Sequence, residues 1–218
     1  MNDTMIQLLV LAGIAVFLVI KLRSVLGTRE GYEKPPVPVT ERSAAAPNLT
    51  VVESGPDRDI LDHAPEGSPS ALALAAMKQA EPGFSLTTFL QGARGAYEMI
   101  LMAFERGDLS QVRAFLGPEV AETFAEAIAA REAQGLTVEA NFVGLREMSF
   151  VAAEFNPATR EGEVTVRFGG ELTSLIRNKA GEVVEGSATE IKRQRDVWTF
   201  ARKMGSADPN WQLVATGE

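Results

Sequence analysis

The sequence predicts an α+β domain carried behind an N-terminal membrane helix and a proline-rich linker. Three observations predict it: an uncharged apolar run near the start, helical periodicity through the middle, and a period of two over the last third.

The apolar run comes first. Leu8 to Ile20 carries no charge, and the uncharged stretch reaches back to Thr4. A run this short on its own is ambiguous between a membrane span, a core helix and a signal-peptide core. Its flanks favour an anchor. Only Asp3 precedes it, whereas a secretory signal starts positive, and no small-x-small cleavage site follows. Lys21 and Arg23 follow it and reach the interface while Leu22, Val25 and Leu26 stay apolar. A helix over residues 4–26 spans about 34 Å at ~1.5 Å per residue, enough for a bilayer. Lys21, Arg23 and Arg29 then place the chain beyond the anchor in the cytoplasm, at the inner face of a membrane, with the N-terminus outside. An uncleaved export signal would place the domain on the other side.

Residues 27–69 hold seven of the eleven prolines, among Ser, Thr, Glu and Ala. Pro35, Pro36 and Pro38 favour extended backbone, so this stretch reads as a tether with a reach of roughly 35 Å. The single histidine, His63, stands here beside Asp57, Asp59 and Asp62. A metal site needs ligands in fixed geometry, so this cluster reads as a solvated acidic linker. The expected organisation is an anchor over 1–26, a linker over 27–69 and one domain over 70–218.

The domain opens with a short helix from Ser70, with Leu74, Met77 and Ala80 near one side, and Glu81-Pro82-Gly83 breaks it. Ser85 is an N-cap, and Phe84 can staple to Phe89. Phe89, Ala93, Tyr97, Ile100 and Phe104 recur at helical spacing until Gly107. Asp108, with Gln111 at the capping-box position, predicts a second helix through Leu116. Pro118 starts a third, with Val120, Phe124 and Ile128 on one face and Gly135 as its stop.

After Gly135 the period changes. Residues 136–155 read as one or two strands, broken near Glu147-Met148. Asn156-Pro157 turns into a strand on which Val164, Val166 and Phe168 share a face, and Gly169-Gly170 allows a bend or bulge. Asn178 to Gly181 turns into a long strand from Val183 to Met204, with Trp198, Phe200 and Met204 on one face. Asp208-Pro209-Asn210 leads to a last strand bearing Trp211 and Leu213. Helices followed by an antiparallel meander is the α+β pattern.

Composition restricts the chemistry. A net charge of −8 argues against a nucleic-acid coat, DNA included. The absence of cysteine removes disulfides, thiolate metal sites and cysteine nucleophiles. There is no P-loop, Gly-x-Gly-x-x-Gly or nucleophile elbow, and the carboxylates form no legible acid–base pair. No enzyme, cofactor or metal is expected. Trp198, Phe200, Trp211 and Phe168 line either a binding pocket or the sheet core. With Tyr97 and Phe124 they form the candidate hydrophobic pocket. Arg177, Lys179, Lys192, Arg193, Arg195, Arg202 and Lys203 read as a solvated sheet face balanced by Glu185, Glu190 and Asp196. A dock for anionic lipid or ribosomal RNA is the alternative.

The stretch Asp196-Val-Trp-Thr-Phe-Ala-Arg202, then Asp208-Pro-Asn-Trp-Gln-Leu-Val-Ala-Thr216, resembles the Tim44-like domain family. Phe89-Leu-Gln-Gly-Ala-Arg-Gly-Ala-Tyr97, Ala103-Phe with Gly107-Asp108, and Phe124-Ala-Glu-Ala-Ile128 with Arg131 match the same family in order. The resemblance spans about residues 71 to 217, and the anchor and linker look like membrane-bound members from alphaproteobacteria. It implies a cystatin-like or nuclear-transport-factor-like fold, in which a curved antiparallel sheet cradles helices around an apolar pocket. The mitochondrial member tethers a matrix Hsp70 motor to an import channel through a region N-terminal to this domain; here an anchor and a Pro-rich stretch stand in that place. The implied function is a non-catalytic adaptor or scaffold for protein translocation or assembly, with a translocation or chaperone component as partner. A membrane-tethered ribosome receptor and a lipid- or ligand-binding pocket are the alternatives.

Overall fold

The structure, a computed structural model, describes residues 57–217. The expected anchor and the linker up to residue 56 lie outside the described residues. Among the described residues no helix is long and apolar enough to cross a membrane.

Among the described residues, four α-helices precede a four-stranded antiparallel sheet in the order β1-β2-β3-β4. The helices are α1 (Arg58–Leu61), α2 (Pro69–Ala80), α3 (Leu86–Arg106) and α4 (Pro118–Ala133). The strands are β1 (Thr137–Asn156), β2 (Glu161–Arg177), β3 (Val183–Lys203) and β4 (Gln212–Gly217). The α+β expectation therefore holds.

The linker expectation needs correction at its end. Residues 57–69 are part of the folded unit: Ile60 and Ala64 are buried, and Ser68 caps α2 with Pro69 in its first turn. Asp57 and Asp59 are not solvated linker carboxylates. Lys78 reaches both, at 2.7 and 2.8 Å. Asp59 also accepts from the backbone N–H of Leu86 and of Thr87, each at 2.8 Å, and from Ser85 Oγ. Ser85 caps α3 itself, so Asp59 adds a second anion at the same helix start, where the peptide dipoles favour negative charge. Burial alone would raise the Asp59 pKa. The bonds from Lys78, Thr87 and Leu86 outweigh that and hold it well below the usual carboxylate range.

Helix α3 runs as its periodicity predicts and ends at Gly107, whose φ of 78° is the left-handed conformation glycine adopts freely. Phe84 and Phe89 are both buried, and each packs on Trp211, with ring centroids 5.8 and 4.7 Å away. The helix expected after Asp108 is only a 3-10 turn, Arg113–Phe115. Asp108 closes an Asx turn onto the N–H of Ser110 instead. Nine residues lie between Gly107 and Gly117, and this turn and the 3-10 turn use six of them. They serve to set Val112 and Leu116 into the core.

Strand β1 is continuous, and no break interrupts it at Glu147. It carries register shifts at Phe142/Gly144, Leu145/Glu147 and Phe150/Ala152. Each such shift bends the strand and raises its twist. The middle one lies opposite Gly169 and Gly170, so the bulge sits on the partner strand rather than at the glycine pair. Gly170 has another reason to be glycine. A Cβ there would stand 2.9 Å from the Tyr97 hydroxyl.

One core lies between the helices and the sheet. Val164, Val166 and Phe168 of β2, Trp198 and Phe200 of β3, and Leu213 of β4 meet Leu86, Tyr97 and Ile100 of the helices. Ser70 Oγ accepts from the Ala153 N–H, which ties α2 to β1. The Gly117 N–H donates to the Leu213 carbonyl at 2.8 Å, which ties the start of α4 to β4. On the opposite sheet face Thr165 and Thr199 share a hydroxyl hydrogen bond at 2.9 Å.

Candidate functional site

Two openings in the described unit carry enough chemistry to bind something. The first is an apolar cleft of about 330 Å³ between the start of α3 and the β3–β4 turn. Phe84, Phe89, Phe115, Phe200 and Trp211 wall it. Gly92, Ala93 and Ala96 supply a small-residue strip along α3 that keeps it open. Trp211 is half-buried, so one edge of its ring faces solvent.

An ion pair closes one end of this cleft. Arg202 of β3 donates through Nη2 to Glu81, the C-cap residue of α2, and that carboxylate also accepts from the Gly205 N–H at 2.7 Å. The Arg202 side chain is only 8% exposed, and its guanidinium carbon stands 5.6 Å above the Trp211 ring. Its Nε is buried with no partner. The hydrogen bond from Arg202 holds the Glu81 carboxyl below the usual carboxylate range, against an opposing effect of burial. Arg202 therefore leaves the basic sheet face expected for it and becomes a buried structural cation.

The second opening is a charged basin of about 860 Å³ beside β3. Val138, Leu172 and Ile176 give it an apolar floor. Glu105, Arg131, Glu185, Lys192, Gln194 and Asp196 ring it. Burial pushes the Glu105 carboxyl above its ordinary range, and Arg131 and Lys192 pull it partly back. Arg131 spends one donor on the Phe104 carbonyl at 3.1 Å, fixing the end of α4 against α3.

Tyr97 and Asp196 connect core and basin. The Tyr97 hydroxyl donates to Asp196 Oδ2 at 2.6 Å, and Gln194 Nε2 donates to Oδ1 at 3.1 Å. Burial first, then the hydrogen bond and charge of Asp196, push the Tyr97 pKa far above its ordinary value. The phenol is thus a fixed donor, and it orients a carboxylate at the basin wall.

The six aromatic residues singled out in the sequence separate into three groups. Phe200 and Trp211 line the apolar cleft. Tyr97, Phe168 and Trp198 form a closed stack beneath it, with Tyr97 lying parallel to Phe168 at 4.4 Å and Trp198 tilted 4.7 Å from Tyr97. Phe124 stacks with neither group; it packs at the margin of the core on Phe104, with ring centroids 4.7 Å apart. Sequence reasoning missed Phe84, Phe115 and the Glu81–Arg202 pair as cleft residues. Phe84 had been read only as a staple, and Glu81 and Arg202 are 121 positions apart. Among the described residues no group of His, Asp or Glu has metal-binding geometry, and His63 lies exposed after α1.

Comparison with known proteins adds the lineage. No curated protein matches this sequence. Among solved structures, the crystal structure of the intermembrane space region of chloroplast protein ARC6 is similar at 11% identity, with a TM-score of 0.40, over 59% of this chain and 94% of that one. The family model of the Tim44-like domain matches residues 70–218, a span that holds α2 to β4, the apolar cleft and the charged basin, and omits α1. The chain belongs to the Tim44-like domain family.

Proposed function

We propose that this protein is a non-catalytic adaptor or scaffold for protein translocation or assembly, held at the inner face of a bacterial membrane by its N-terminal apolar run. One observation carries the reading: an aromatic-walled cleft, open to solvent, on a domain of the Tim44-like family. Aromatic side chains around a small-residue strip are the composition of a surface that receives an apolar anchor from a partner. The partner expected is a translocation or chaperone component.

Site-specific photocrosslinking tests this. Thr88 lies exposed on the cleft rim, so a photoreactive side chain there leaves the core untouched. In cells the full chain should form adducts with a translocation or chaperone subunit, and Trp211→Arg should abolish them. The reading fails if no protein adduct forms. The anchor is tested separately, by retention of the full chain in membranes through an alkaline carbonate wash.

The same apolar lining favours a second reading, a pocket for a lipid or small hydrophobic ligand. Adducts to lipid alone, or lipid retained through purification and lost in Trp211→Arg, would select it.

A further inference from the structure

Among the described residues, the sheet has an open edge next to the charged basin. Strand β4 pairs with β3 only along Val197–Ala201. Beyond it, residues 192–196 of β3 have β2 on one side and no strand on the other among the described residues. Their register with β2 runs unbroken from Lys203 to Lys192, so this edge is regular and extends the line of β4. A five-residue edge is about 17 Å long and presents unpaired backbone donors and acceptors, the template for strand addition.

Its side chains fall on two faces. Arg193 and Arg195 lie opposite Glu171 and Gly169 of β2 and stand exposed on the outer sheet face. Arg146 and Arg167 join them there. The acids beside this stretch are Glu147 and Glu171, while Glu154 and Glu163 lie farther along the same face. Glu171 is buried and shared between Arg146 at 2.7 Å and Arg193 at 3.3 Å, so one carboxylate serves two cations. The part of the face beside residues 192–196 is therefore net positive, on a chain whose net charge is −8. Lys192, Gln194 and Asp196 alternate to the other face, toward the basin and its floor of Val138, Leu172 and Ile176.

We propose that β3 residues 192–196 bind an extended segment of a partner protein by strand addition. The segment's outward residues are acidic, facing Arg193 and Arg195, and its inward residues are apolar, entering the basin. Charge complementarity selects this occupant. A second copy of the chain, added antiparallel through the same edge, would set these arginines against their own counterparts, which is unfavourable across strands. The long cations thus reject self-pairing and admit an acidic strand. The proposal extends the adaptor reading to a second surface. Crosslinks at Thr88 test that reading, and the assay below tests this edge.

The experiment uses the full chain in neutral detergent and a fluorescent peptide of alternating Glu and Val, read by anisotropy. The peptide should bind, and a Lys–Val peptide of equal length should not. Two further peptides carry N-methyl groups on alternate amides, one blocking each edge. Only one should bind, with the other weakened at least tenfold. Arg193→Glu with Arg195→Glu should weaken binding at least tenfold, while Lys179→Glu, on the β2–β3 turn, leaves it unchanged. Backbone amides of residues 192–196 should gain exchange protection on binding. Equal binding of both N-methylated peptides would mean that charge alone holds the segment and would overturn the proposal. So would no binding at all, which would leave the arginines as edge protection, or binding only to vesicles of anionic lipid.

Discussion

Removing the carboxylate of Glu81 should cost more than removing the arginine it pairs with. In Glu81→Leu the Arg202 guanidinium stays in place, its side chain only 8% exposed. Its remaining polar contact is the Asp208 carbonyl at 3.4 Å, with the Trp211 ring at 5.6 Å beside it. A buried charge stripped of its partner costs about 3–5 kcal/mol. In Arg202→Met the Glu81 side chain is 25% exposed and keeps the Gly205 N–H at 2.7 Å. Water and that donor limit the loss to about 2 kcal/mol. The double variant replaces the pair with apolar volume and should cost about 1 kcal/mol or less. Urea unfolding of a truncation starting at Val51, with all three variants, gives the cycle. A coupling of at least about 2 kcal/mol is expected. The native Glu81 pKa lies below its unfolded value, so this contribution is present above about pH 4.3 and is lost as pH falls through the native pKa. The advantage of the native chain over Glu81→Leu should shrink accordingly in acid. Single losses under about 1 kcal/mol that simply add would refute the reasoning, because they would mean that water reaches the pair.

Further predictions concern the core and the helix starts. Trp198→Ala should cost about 3–5 kcal/mol in urea unfolding, since the ring is 3% exposed inside the aromatic stack, while Thr199→Ala on the other face should cost about 1 kcal/mol. Gly170→Ala should lower the urea midpoint by driving a methyl group against the Tyr97 hydroxyl, and Tyr97→Phe should relieve that clash while costing about 1–3 kcal/mol for the donor lost to Asp196. Asp59→Ala should cost about 1–2 kcal/mol at pH 7. The native Asp59 pKa is depressed, so the gap between this variant and the native chain should begin to narrow below the ordinary Asp range, as unfolding curves at pH 7 and pH 3 would record, and should close only as pH falls through the native pKa.

The parts of the fold that were legible depend on local chemistry. Ser85, the 3.6-residue stripe and Gly107 define α3 within a single stretch of chain, and its bounds follow. The alternation of Val164, Val166 and Phe168 likewise needs only neighbours. Asp108 misled because its side chain satisfies a turn as readily as a helix. Asp57 and Asp59 read as solvent residues because their partners, Lys78 and the start of α3, lie 19 to 28 positions away. The candidate pocket was half legible for a similar reason. Periodicity places Tyr97, Phe168 and Trp198 on inward faces but does not say which inward positions lie under a neighbouring helix and which reach its edge. Only the packing of α3 over the sheet separates the closed stack from the cleft at Trp211.

The double attachment of α1 also determines how the domain bears mechanical load. A pull on the chain ahead of Asp57 reaches the fold through Asp57 on Lys78 and through Asp59 on Lys78 and the first amides of α3. These contacts are two residues apart and share Lys78, so they are loaded together. Strand β4 at the other end is six residues long and pairs with β3 alone ahead of its tie to Gly117 at Leu213, so tension applied at Gly217 opens its pairs with β3 one after another, beginning at Val197. Traction from the N-terminal side therefore meets a lock, and traction from the C-terminal side meets a zipper.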